Sequence, residues 1–125
     1  MTTASTMDGI RALARGDEEG ALEAFGRALD GSGDYFEAGL CRARLLVMRR
    51  RYEEAEAALA ELDEAAPGSM ENLDRAEAQL LLGIAQREQL RVYDAVESFR
   101  AAALLDPRDG RAEAAIRELL EVQEP

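Results

Sequence analysis

Adjacent carboxylates are the first residues in this chain whose types and spacing could do chemistry. Glu53/Glu54 and Asp17/Glu18 are two such pairs, and paired carboxyl groups can divide acid and base work between them. Both pairs stand at the expected start of a helix, where the helix dipole favours acids without any catalytic task. They are read as helix-start residues. Cys41 is the only cysteine and histidine is absent, so the usual nucleophile–histidine pairings of hydrolases cannot be assembled. A single thiolate cannot build a zinc site either. The expectation is therefore a non-enzyme with no metal and no cofactor. Asp30-Gly31-Ser32-Gly33-Asp34 has the glycines of a phosphate cradle, but no Lys-Ser/Thr follows, and it is read as a turn. Asp106-Pro107-Arg108-Asp109-Gly110 lacks the alternating acids of a calcium loop and is also read as a turn.

The remaining charges suggest binding, not reaction. The net charge is −11, from 26 acids against 15 arginines, which disfavours nucleic acid and anionic membrane as partners. Between Arg42 and Arg51 lie five arginines and no acid, whereas Glu53 to Glu77 holds nine acids and one arginine, Arg75. Two readings stay open: a solvated basic helix end followed by an acidic helix start, or a basic patch bordering a binding surface.

The elements that must position these residues are helices. Alanine occurs 24 times, leucine 17, glutamate 17 and arginine 15 in 125 residues, while valine, isoleucine and threonine together supply 10. That composition suits long helices and starves a sheet of the β-branched residues it draws on. A chain of this length can bury enough surface for one self-sufficient domain. Met1 to Asp8 has neither the basic start nor the apolar run of a signal peptide, and no apolar stretch approaches the ~18 residues of a membrane span. With one cysteine, these features lead us to expect a reducing, cytoplasmic setting. Arginine as the only basic residue and Asn72 as the only asparagine hint at GC-biased codons, hence a bacterium.

A repeat runs through the helical pattern. Ala21, Phe25, Ala28 and Gly33 are matched 34 residues later by Ala55, Leu59, Leu62 and Pro67. A third copy, Ala95, Phe99, Ala102 and Pro107, follows after a further 40. Within each copy the first three positions share a helical face, and the glycine or proline ends the helix. Upstream of each lies a second amphipathic stretch: Met7, Ile10, Leu13 and Ala14; then Phe36, Leu40, Ala43, Leu46 and Val47; then Met70, Leu73, Leu80, Leu81 and Ile84. Six extra residues, about 70–75, precede the third unit; with Ser69 as N-cap they are read as an extension of its first helix. Arg111 to Val122 carries an apolar stripe and fits a terminal capping helix.

Helix–turn–helix units of period 34 resemble the tetratricopeptide repeat family. The third copy carries the resemblance best: Leu82-Gly83 in its first helix, Ala95, Phe99 and Ala102 in its second, and Asp106-Pro107 at its close. The second keeps Ala43, Tyr52, Ala55, Leu59 and Pro67, with Arg42 where the family has leucine; the first keeps Gly16-Asp17, Ala21, Phe25 and Ala28, with Asp8 for the leucine and Gly33 for the proline. The resemblance implies an all-α fold, an α-solenoid of about seven helices curling into a right-handed superhelix. It forms one domain over 1–125, with repeats at about 2–35, 36–69 and 76–109 and a cap at about 111–122.

It also implies a function. In this family the first helix of each unit lines a concave groove. The groove positions fall on Thr6, Ile10 and Leu13, then Leu40, Arg44, Val47 and Met48, then Leu80, Ile84 and Arg87. The family's clamp for a peptide's C-terminal carboxylate uses Lys, Arg and Asn. Thr6, Ile10, Cys41, Glu77 and Leu81 stand at most of those positions and only Arg44 is suitable, so a chaperone-tail clamp is disfavoured. The groove is mostly apolar, and about half of its residues are expected to pack in the core. The implied function is a non-catalytic protein-interaction module, as an adaptor, scaffold or chaperone, binding an amphipathic helix or an extended apolar segment of a partner. Three-repeat type III secretion chaperones are one sub-case of similar size and acidity. A self-associating module, possible as a homodimer through the groove or the cap helix, is the alternative.

Overall fold

The computed structural model describes residues 4–28, 35–65 and 72–123. Among these residues the chain forms seven helices and no strand: α1 (Ala4–Ala14), α2 (Glu18–Ala28), α3 (Tyr35–Met48), α4 (Tyr52–Ala65), α5 (Asn72–Glu88), α6 (Val92–Leu105) and α7 (Arg111–Gln123). The all-α expectation and the number of helices hold. The 30–34 turn, Pro67, Ser69 and Met70 lie outside the described residues, as do the side chains of Thr6 and Phe36. At 17 residues α5 is longer than α1 and α3, at 11 and 14. It begins at Asn72, so 72–75 extend the helix ahead of the third repeat.

The chain divides into two compact units, Met1–Ala65 with α1 to α4 and Ala66–Pro125 with α5 to α7. In the first unit, Phe25 of α2 is fully buried with Ala12 of α1, Ala21 of α2 and Leu45 of α3. Leu46 packs with Ala55 and Ala58 of α4, and Leu22 touches both groups. In the second unit, Leu80, Ala95, Phe99, Ala102, Ala112 and Ala115 join α5, α6 and α7 in one core, with Ile84, Ile116 and Leu119 packed against it.

Small residues bring the paired helices together. A Cβ on Gly83 would stand 2.6 Å from the Phe99 ring, closer than such atoms approach. Gly9 repeats this against Phe25, where a Cβ would stand 2.5 Å from the ring. Both glycines precede their phenylalanine by 16 residues, and buried Ala43 stands in the same relation to buried Leu59. Alanine alone fills the next level: Ala21, Ala55 and Ala95 are each fully buried.

The turn inside each repeat has one geometry three times. Gly16, Arg50 and Leu90 all have positive φ, at 79°, 63° and 65°. The N–H of the next residue bonds back across the turn each time: Asp17 to the Ala12 carbonyl, Arg51 to Leu46 and Arg91 to Gln86, at 2.8, 2.8 and 2.9 Å. The left-handed residue itself donates to Leu13, Val47 or Arg87. This pair of bonds is the Schellman closure, which satisfies the last carbonyls of one helix and aims the next back along it.

Candidate partner-binding faces

The structure sorts nine of the ten candidate groove residues by exposure, the Thr6 side chain lying outside the described residues. In the first unit, Ile10 and Leu13 of α1 are 39% and 37% exposed, and Met48 of α3 is 69% exposed. Arg44, one helical turn before Met48, is also exposed, whereas Val47 is half-buried against Leu46, Ala55 and Ala58. Leu40 is buried in the core. In the second unit Leu80 is buried, Ile84 packs on the Phe99 core, and Arg87 is half-buried. Of these candidates the exposed apolar ones are thus Ile10 and Leu13 on α1 and Met48 on α3, with Arg44 one turn from Met48; Leu40, Leu80 and Ile84 mainly hold helices together.

Arg87 has structural ties. Its guanidinium carbon lies 6.0 Å from the Phe99 ring centroid, at the edge of cation–π range, and its Nε meets Glu88 at 3.3 Å. Arg44 acts on a neighbour: burial pushes the Cys41 thiol above its usual pKa and the Arg44 charge opposes the rise. A thiol held protonated at neutral pH is no activated nucleophile.

The arginine run ending at Arg51 serves partly to brace the first unit. Arg49 pairs with Glu18, and Arg51 pairs with Glu54 at 2.7 Å and Glu19 at 3.4 Å. The turn after α3 is thereby tied to the start of α2. These pairs are open to solvent, whose screening leaves each of them weak. In the second unit Arg111 joins α7 to α5 through Glu77 at 2.9 Å, and it also grips Asp109 at 2.6 Å. That side-chain bond, with the Arg111 backbone N–H, holds the Asp109 carboxyl below its usual pKa.

A family model for the tetratricopeptide repeat matches residues 12–80, more than half of the chain. The chain belongs to the tetratricopeptide repeat family. Solved structures agree on the fold. The tetratricopeptide domain of Arabidopsis OM64 superposes with a TM-score of 0.78 at 20% identity, over 94% of this chain and 92% of that one. The second such domain of human RPAP3, in complex with the HSP70 peptide SGPTIEEVD, gives 0.77 at 20% identity over 94% and 92%. The first tetratricopeptide domain of Spaghetti (RPAP3), bound to the HSP90 peptide SRMEEVD, gives 0.79 at 14% identity over 94% and 89%. No curated protein sequence matches the chain. At these identities the likeness establishes the tetratricopeptide fold alone.

Two features of this tetratricopeptide chain escaped the sequence reading. Gly9 is the partner of Phe25, a role its 16-residue spacing could have revealed. Leu104 of α6 is 83% exposed, and no periodicity distinguishes it from a core leucine. Among the described residues no helix is long and apolar enough to cross a membrane.

Proposed function

We propose that this chain is a non-catalytic interaction module whose first helices hold a segment of a partner protein. The carrying observation is the exposed apolar set Ile10, Leu13 and Met48 with Arg44 one turn from Met48. Such residues bury a partner's aliphatic or aromatic anchors, which usually dominate affinity, while a cation sets orientation. Support also comes from the peptide complexes of two structural neighbours, whose partners are the HSP70 and HSP90 peptides. Those peptides end in Glu-Glu-Val-Asp. Here Ile10, Cys41, Glu77 and Leu81 stand where a carboxylate clamp would need cations or amides, so the occupant is an amphipathic or apolar segment with an acid for Arg44. In this reading the three repeats and capping helix act as one cytoplasmic domain. An adaptor, a scaffold or a secretion-type chaperone would all use such a face.

The test is capture of the partner from source-cell lysate, followed by affinity measurements on variants that leave the core alone. Met48→Asp is expected to weaken binding roughly tenfold or more, and Arg44→Glu to slow association, with little change in melting temperature. Unchanged binding by both variants, with the fold intact by circular dichroism, would overturn the reading.

A further inference from the structure

The last helix of a solenoid normally closes the stack with a polar outer side. The outer side of α7 is mixed. Leu120 is 44% exposed on it, and Leu104 of the adjoining α6 is 83% exposed. Between the two helices lies an open notch of about 450 Å³, lined by Arg100, Ala103, Leu104, Pro107, Glu113 and Ile116. Such an apolar notch marks a surface on which another chain can pack.

A further helix of the repeat pattern does not fit there. Gly9 and Gly83 each admit a phenylalanine of the following helix because they lack a Cβ, and buried Ala43 lies 34 residues after Gly9. The position 34 residues after Gly83 is Arg117, which is exposed. A long charged side chain at that point stops a second helix from closing on α7 as α2 closes on α1.

The charges on the same face point to the occupant. Glu113, Ile116, Arg117 and Leu120 follow the i, i+3, i+4, i+7 rule and so share one stripe. Among the described residues neither Glu113 nor Arg117 has an ion-pair partner, although they stand one turn apart in the favourable order. Two antiparallel copies of this stripe, related by a two-fold axis, place each Glu113 opposite the partner's Arg117, twice over. An acidic chain of net charge −11 repels its own copies, and this face, with its balanced charges and apolar centre, is suited to their approach. The pocket between α1 and α2 offers no counterpart for a head-to-tail contact. Its lining of Asp8, Arg11, Arg15, Asp17, Glu23 and Arg27 is polar apart from small residues.

We propose that the α6–α7 face is an isologous dimer contact between two copies of this chain, with α7 antiparallel to the partner's α7. Glu113 and Arg117 pair across the two-fold with Ile116 beside the axis, and Leu104 and Leu120 flank it. None of these residues belongs to the first-helix face, so the two proposals stand or fall separately.

Sedimentation equilibrium from about 1 μM to about 1 mM tests it. Wild type should pass reversibly from 13.7 kDa to twice that mass. Leu104→Asp should weaken the dimer roughly tenfold or more, as should Glu113→Arg and Arg117→Glu separately. An equimolar mixture of the Glu113→Arg and Arg117→Glu chains should recover it as a heterodimer, because each charge again meets its opposite. Circular dichroism melts, expected to be unchanged at these exposed positions, guard against misfolding. A wild type monomeric throughout, or a dimer indifferent to Leu104→Asp, overturns the proposal. So does a monomer that instead captures a foreign protein through Leu104, which would assign the face to another partner.

Discussion

One methyl group has opposite effects at Gly83 and Gly26. Both glycines lie inside helices, where alanine is favoured by about 1 kcal/mol. At Gly26 a Cβ would meet nothing within 4 Å, so Gly26→Ala should stabilise the protein by about 0.5–1 kcal/mol. At Gly83 it would strike the fully buried Phe99 ring at 2.6 Å, and overpacking costs roughly 1–3 kcal/mol. Gly83→Ala should therefore lower the urea midpoint, and Gly9→Ala should do the same through Phe25. Equal rises for Gly83→Ala and Gly26→Ala would show that the helices of the third repeat are not in close approach. Gly83 was legible because Leu82 stands before it; Gly9 was not, because Asp8 stands there instead. The groove residues divide for a related reason. Helical spacing places Leu40 and Met48 on faces of one helix, but only the packing of its neighbours makes one buried and the other exposed.

At the scale of elements, each turn between the two helices of a repeat is a compromise between residue and backbone. Only Gly16 suits its left-handed conformation; Arg50 and Leu90 hold the same conformation at roughly 1–2 kcal/mol each. Leu90 is 84% exposed, so its side chain recovers little by packing. Glycine there removes the left-handed penalty but adds about 0.5–1 kcal/mol of unfolded-chain entropy. Leu90→Gly should then be neutral to about 1 kcal/mol stabilising in a denaturant titration. A loss above about 1 kcal/mol would mean that Leu90 makes contacts that stabilise the fold. The helices themselves were legible from the alanine-rich spacing because close pairing restricts side-chain size at fixed intervals. The turn at Gly16 was legible too, but the left-handed residues of the other two were not, since arginine and leucine are ordinary helix formers and nothing in their type announces a positive φ. The longer α5 was legible because Leu73 keeps helical phase with Leu80 and Ile84.

For the whole molecule, charge sets two opposed tendencies. The ion pairs of Arg49, Arg51 and Arg111 attract, but each has at least one partner open to solvent, and screening keeps them weak. Against them stands the self-repulsion of a chain with net charge −11, which acts over the whole surface and favours expansion. Salt weakens both, and it weakens most what acts at long range. The Debye length falls from about 30 Å at 0.01 M to about 8 Å at 0.15 M, shorter than many distances between unpaired acids but longer than a salt bridge. Relief of repulsion should therefore outweigh loss of attraction. The melting temperature at neutral pH is expected to rise by a few degrees between those concentrations, an amount equivalent to about 1 kcal/mol in a domain of this size. The scan should be run at a dilution where the chain is monomeric, so that easier association of acidic copies does not add to the effect. A fall in melting temperature would show that the pairs bracing α2 to the turn after α3, and α7 to α5, contribute more than exposed pairs ordinarily do.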